Sequence, residues 1–145
     1  DFSKQLFPMV LEAGLPMYAK TIDGIWFDVG HPLELLKAQK ALIQNKDKLP
    51  FPMPSGRVLD DGSFISSTAE VRGQVFSSVI SGDCVITENS VVKNSLIMQG
   101  TIFDGVAETS VVGENCNLKG VDLHDAVIGD FVNETSLKIR MEKYP

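Results

Sequence analysis

Apolar residues recur in two helical rhythms and then in a third, unlike either, over the second half of this chain. From Ser3 to Ala13, the residues Leu6, Met9, Val10 and Ala13 fall at the i, i+3, i+4, i+7 spacing of one helical face. Ser3 is placed to cap this helix and Gly14 to end it, and Pro8 is tolerable only within the first turn or two. Residues 15–20 and 25–29 read as short strands, the second (Ile25-Trp26-Phe27-Asp28-Val29) bounded by Gly24 and Gly30. Pro32 opens a second helix that runs to about Lys46, with an apolar stripe of Leu35, Ala38, Leu42 and Ile43 flanked by Leu33, Leu36, Lys37, Lys40 and Ala41. Prolines at 50, 52 and 54 forbid helix across 47–57 and favour extended backbone, so this stretch reads as a linker, with Phe51 and Met53 expected to lie against a neighbour.

Beyond residue 62 the rhythm changes. A small residue followed by an aliphatic pair begins at Ser78, Ser95, Ser110 and Ala126, so successive starts differ by 17, 15 and 16. Within one such interval the apolar positions step by six and then five, as in Ile80, Ile86, Val92 and Ile97. Ile65 and Val71 lead into that series, and Phe103, Val106, Val112, Leu118, Leu123 and Ile128 continue it. A step of about six predicts three flat faces per coil, each a very short strand with one inward aliphatic side chain, stacked as parallel sheets into a β-helix. The turns need residues that tolerate left-handed backbone, and Gly82, Asn89, Asn94, Gly100, Gly105, Gly113, Asn115, Gly120 and Gly129 are placed to supply them. Phe103 to Val112 is short for its stretch, which predicts a pinched corner near Asp104-Gly105. About four to five coils fit between residues 62 and 137, and Lys138 to Pro145 is expected to leave the pattern and cap the open end. The expected organisation is a small α/β segment over 1–46, the linker over 47–57 and the mainly β coils over 58–145.

Bulk properties narrow the function. The chain has 145 residues, 43% hydrophobic and 22% charged, enough for a packed core. Its formal net charge of −6 argues against nucleic acid or an anionic membrane as partner, and no apolar run is long enough to span a bilayer. The opening Asp1-Phe2-Ser3-Lys4 has neither a basic nor an apolar leader pattern. Cys84 and Cys116 lack CxxC spacing and read as small buried fillers in a reducing cytoplasm.

Several blocks together carry a family resemblance: Asp1-Phe2-Ser3-Lys4-Gln5-Leu6-Phe7-Pro8, Leu15-Pro16-Met17-Tyr18-Ala19, Gly24-Ile25-Trp26-Phe27-Asp28-Val29-Gly30, the Pro32-led helix and the coils. In these the chain resembles the carboxy-terminal part of a sugar-phosphate nucleotidyltransferase, nearest to mannose-1-phosphate guanylyltransferases and ADP-glucose pyrophosphorylase-like proteins. The resemblance implies a Rossmann-like catalytic domain followed by a left-handed parallel β-helix. It implies a reaction in which a sugar 1-phosphate attacks the α-phosphate of an NTP to give NDP-sugar and pyrophosphate. It also implies that Asp28 helps hold Mg²⁺, a role that suits a hard oxygen ligand beside a glycine; the plainer reading is that Asp28 caps the Pro32 helix or sits exposed in a turn. The family's glycine-rich nucleotide loop is absent from these residues, so this chain alone is expected to be inactive.

Two other classes compete. In a β-helical acyltransferase His124, oriented by Asp125, or else His31, would serve as general base. As a non-catalytic module, the coils would drive homo-oligomerisation or regulation through flat faces rich in Val and Ile. Asp60-Asp61 and the pair Asp122 and Asp125 read as turn acids, and Trp26 and Phe27 as core.

Overall fold

The computed structural model describes residues 1–141 and 143–144, the last two by backbone alone. Helix α1 (Phe7–Glu12) follows a π-helical turn over Phe2–Leu6, and α2 spans Pro32–Gln44. The strands are β1 (Gly56–Val58), β2 (Phe64–Ser66), β3 (Glu70–Val71), β4 (Gln74–Phe76), β5 (Val79–Ile80), β6 (Val85–Ile86), β7 (Val91–Lys93) and β8 (Leu96–Ile97). They continue as β9 (Ile102–Glu108), β10 (Val111–Val112), β11 (Asn117–His124), β12 (Val127–Ile128), β13 (Asn133–Thr135), β14 (Lys138–Arg140) and β15 (Lys143–Tyr144). Together they wind a mainly β parallel solenoid of about five turns. Among the described strands only β1 runs antiparallel, folding Gly56 to Val58 back along β2.

Each face stacks one inward column. On the first face Ile65, Ile80, Ile97, Val112 and Ile128 are register partners. On the second Val71, Ile86, Phe103 and Leu118 align, and on the third Val75, Val92, Ala107, Leu123 and Ile139. Ile80, Ile86, Val92, Ile97, Phe103, Val112, Leu118 and Leu123 are all 0% exposed, so the six-then-five rhythm does mark the core. Each such side chain contributes about 1.5–3 kcal/mol of burial. The inward residue at the third face of the third coil is Ala107, with Val106 outward, because Ala107 pairs with Val92 across the ladder.

The corners differ from expectation in an instructive way. Gly82, Asn89, Gly113 and Gly129 do not have positive φ; Ser77, Asp83, Asn94, Thr109, Asn115, Asp125, Phe131, Ser136 and Met141 do. The left-handed residue is the last but one before the next strand, whatever its type, because its N–H must reach back to the previous coil. Asn94 N donates to Phe76 O (2.9 Å), Thr109 N to Lys93 O (3.0 Å) and Asp125 N to Glu108 O (3.0 Å), and these bonds offset the backbone strain. Gly113 is needed for space: a Cβ there would lie 2.6 Å from Gly129 C and O of the next coil.

The recurring small residue is a hydrogen-bonding element. Ser63, Ser78, Ser95 and Ser110 are 0% exposed. Each hydroxyl accepts the N–H of its successor: Ser78 N to Ser63 Oγ at 3.1 Å, Ser95 N to Ser78 Oγ at 3.0 Å, Ser110 N to Ser95 Oγ at 2.9 Å and Ala126 N to Ser110 Oγ at 3.1 Å. The corner thus satisfies backbone groups that the short strands cannot pair.

Three further expectations change. Asp1, not Ser3, caps the π-helical turn before α1, its carboxylate accepting from Ser3 N and Lys4 N, while α1 has no side-chain cap; Leu6, Met9 and Leu11 are exposed. Residues 15–20 and 25–29 form no strand, since among the described residues no neighbouring strand offers them hydrogen-bond partners. Lys138 to Arg140 and Lys143 to Tyr144 do not leave the pattern: β14 pairs with β11 and β15 with β12, winding the solenoid onward. Glu142 and Pro145, also assigned to the cap, lie outside the described residues.

Candidate functional site

Helix α2 lies on the first face of the solenoid. Its most buried residues are Leu36 (3%), Ile43 (6%) and Ala38 (9%), so Leu36 lies at the centre of the stripe instead of its edge. Leu36 and Ile43 pack on the outward column Phe64, Val79, Leu96 and Val111 of the first face, with Leu33, Leu35, Met53 and Met98 at the margin. Met53 of the proline-rich stretch does lie against a neighbour, whereas Phe51 is exposed. A polar seam fixes the helix along the corner: the Lys40 ammonium donates to Asn94 Oδ1, and Asn94 Nδ2 donates to Thr109 Oγ1 at 3.2 Å. Burial holds the Lys40 pKa below its ordinary value, opposed by the nearby Asp61 carboxylate. Asp61 accepts from Ser63 N (2.9 Å) and Ser77 N (2.8 Å), bonds that hold its own carboxyl below the usual range.

Asp28 sits in irregular, exposed backbone shortly before α2 begins at Pro32. It does not cap the helix. His31 does, its Nδ1 accepting from Leu33 N at 3.2 Å, which also commits the ring nitrogen that a base at His31 would need. Val29, Gly30 and His31 lie along a shallow groove whose floor is Val111 and Val127 and whose rim includes Asp130. Among the described residues no group of three His, Cys, Asp or Glu is arranged to hold a metal ion. Asp28 offers one hard oxygen donor, and the residues present do not by themselves fit a complete Mg²⁺ site. Around it the apolar side chains face outward: Tyr18 is 93% exposed, Ile22 76% and Trp26 74%, so Trp26 is no core residue here; Phe27 is half-buried.

His124 lies elsewhere, on the third face of the solenoid, pointing outward. Its Nε2 is 2.9 Å from Asp122 Oδ1 and its Nδ1 is 3.3 Å from Glu108 Oε2 on the preceding coil. Arg140 of the following coil reaches Asp122 Oδ2 at 3.5 Å. The orienting acid is therefore Asp122, on the same face of the same strand, and Asp125 instead turns the corner with positive φ. Both ring nitrogens already face carboxylates, so neither is directed at a substrate. Glu108 and Arg140 were legible only by aligning the chain on its coil interval, which puts them in register with His124.

The cysteines are internal. Cys84 is 0% and Cys116 1% exposed, and their thiols donate to Met98 O (3.0 Å) and Gly129 O (3.2 Å). Burial pushes both thiols above their ordinary pKa. Neither is expected to react with a thiol reagent at neutral pH until denaturant is added. Rapid titration of even one thiol in the folded protein would contradict this packing.

No protein-family model matches the chain. Curated relatives do. A glucose-1-phosphate adenylyltransferase of Bacillus cytotoxicus is 30% identical over 99% of this chain and 39% of its own length. One from Clostridioides difficile is 25% identical over 92% of this chain and 41% of its own, and one from Clostridium botulinum 33% identical over 82% and 28%. The chain thus spans about two-fifths, or less, of the length of these relatives.

Proposed function

We propose that this chain, which fits the β-helical C-terminal fragment of a sugar-phosphate nucleotidyltransferase in both sequence and fold, completes and assembles such an enzyme. The observation that carries the reading is the match to glucose-1-phosphate adenylyltransferases over nearly the whole chain, though over only two-fifths of their length. In this reading the intact protein joins an NTP to a sugar 1-phosphate, giving NDP-sugar and pyrophosphate, with ATP and glucose 1-phosphate as the first pair to test. Residues 1–46 belong to the catalytic unit, 47–57 link it to the rest, and the coils over 58–145 serve oligomerisation or regulation.

The exposure of the first segment supports this division. Phe2, Met9, Leu11, Tyr18, Ile22 and Trp26 are each largely exposed, an apolar surface that a finished protein covers. A catalytic sheet from the portion of the relatives that this chain does not span would cover it, and would offer 15–20 and 25–29 the strand partners they lack. Asp28 is then one ligand of Mg²⁺ shared with groups outside these residues, Mg²⁺ in this chemistry neutralising phosphate charge.

The test is an adenylyl-transfer assay, measuring pyrophosphate release. The 145-residue chain alone should show none, because in this reading the groups that bind both substrates lie in the portion of the relatives that it does not span. In the longer protein Asp28→Asn should lower kcat at least about tenfold, ~1.4 kcal/mol of transition-state stabilisation. Turnover by the isolated chain, or full activity of Asp28→Asn, would overturn the reading. The acyltransferase alternative gains no support from the carboxylate-clamped His124.

A further inference from the structure

The third face of the solenoid carries two outward columns in register. One is Gln74, Val91, Val106, Asp122 and Lys138; the other is Phe76, Lys93, Glu108, His124 and Arg140. The first face is covered by α2, and on the second Glu70 and Arg72 pair with each other at 2.6 Å. The third face is different. Lys93 lies over the Phe76 ring at 6.0 Å and, among the described residues, makes no ion pair. Phe76 is 45% exposed, and Val91 and Val106 are half-buried.

From this pattern we infer that the third face is an interface between two copies of this chain, packed with their coils antiparallel about a two-fold axis that runs along the strands between β7 and the end of β9. The inference rests on the assembly role proposed above for the coils. Such an axis sets each coil of one copy against the coil of opposite rank in the other and keeps each column facing itself. Lys93 then meets Glu108 of the second copy, twice by symmetry. Val91 meets Val106 at the dry centre, and Phe76 meets the His124 ring at the edge. Gln74 meets Asp122, and Lys138 and Arg140 lie beyond the contact.

Other placements fail on charge. Moving the axis one coil onward sets Lys93 against Arg140 and Val106 against Asp122. Turning it parallel to the solenoid sets Lys138 against Arg140. Of these, only the first placement leaves no like charges opposed and keeps the apolar pair in the middle, and like-charge opposition across an interface is strongly disfavoured.

The experiment is sedimentation equilibrium of the full chain at low and moderate salt, alone and in mixtures of variants. The wild type should dimerise. Lys93→Glu and Glu108→Lys should each weaken dimerisation at least about tenfold, because each creates like-charge pairs at the centre. An equimolar mixture of the two variants should dimerise again, since every contact is then a Lys–Glu pair. Circular dichroism identical to wild type shows that each variant folds. Dimers that persist unchanged in Lys93→Glu place the interface on another face, overturning this inference while leaving the assembly role standing. Failure of the mixture to recover overturns the proposed pairing. A wild type that stays monomeric overturns both.

Discussion

Gly105→Ala is expected to destabilise the protein by about 4 kcal/mol or more, a large part of the roughly 5–15 kcal/mol that holds a typical domain. Gly105 has φ +140°, and a Cβ built on it would lie 2.1 Å from Val121 O, 2.6 Å from Val121 N and 2.9 Å from Val121 C. All three are backbone atoms of β11, so no rotamer change relieves the contact. The register between β9 and β11 shifts between Leu118 and Val121, which shows that the two coils already adjust there to pass each other. Gly62→Ala supplies the control: φ is +82° and nothing lies within 4 Å, so only backbone strain of roughly 1–2 kcal/mol is added. Urea denaturation of both variants separates the two costs. If Gly105→Ala were no worse than Gly62→Ala, the close passage of the coils at this corner would be wrong.

Ser95→Ala should cost about 1–3 kcal/mol, although alanine fits the same space and the site is entirely buried. The Ser95 hydroxyl donates to Lys93 O at 2.7 Å and accepts from Ser110 N at 2.9 Å. Alanine supplies neither; Lys93 O keeps the bond from Thr109 N, but the Ser110 N–H is left without its partner inside the corner, at a cost of roughly 1–3 kcal/mol. Thermal unfolding monitored by circular dichroism gives the measurement. A variant as stable as wild type would mean that the serine column only saves space. Ala126 shows where the ladder changes: its N–H still donates to Ser110 Oγ, but its methyl passes nothing onward to the next coil.

Asp28 and His124 illustrate how far single positions could be read. The coil spacing places His124 at an outward or corner position, whereas Asp28 reads as the end of a strand that does not form. What surrounds them did not follow from their neighbours in the chain. Asp122 meets His124 because alternate residues in a strand share a face, while Glu108 and Arg140 meet that cluster because they stand in register on the coils to either side. Asp125, adjacent in sequence, is turned away by a corner whose conformation is set by a hydrogen bond to Glu108 O.

By itself the sequence determined the solenoid, its coil length, the inward series of the first two faces and the helix begun at Pro32, because each depends on a period that one coil or one helical turn repeats; on the third face it took Val106 where Ala107 points inward. Tertiary structure alone decided which residue at each corner becomes left-handed, why serine recurs there, and that Leu36 faces the sheet. Those outcomes depend on hydrogen bonds and contacts supplied by elements remote in sequence, the coil above or below and the face on which α2 lies. The same physics governs residues 15–20 and 25–29, which read as short strands in the sequence. A strand exists only where another presents its N–H and C=O groups, and within the described residues none does so for this stretch.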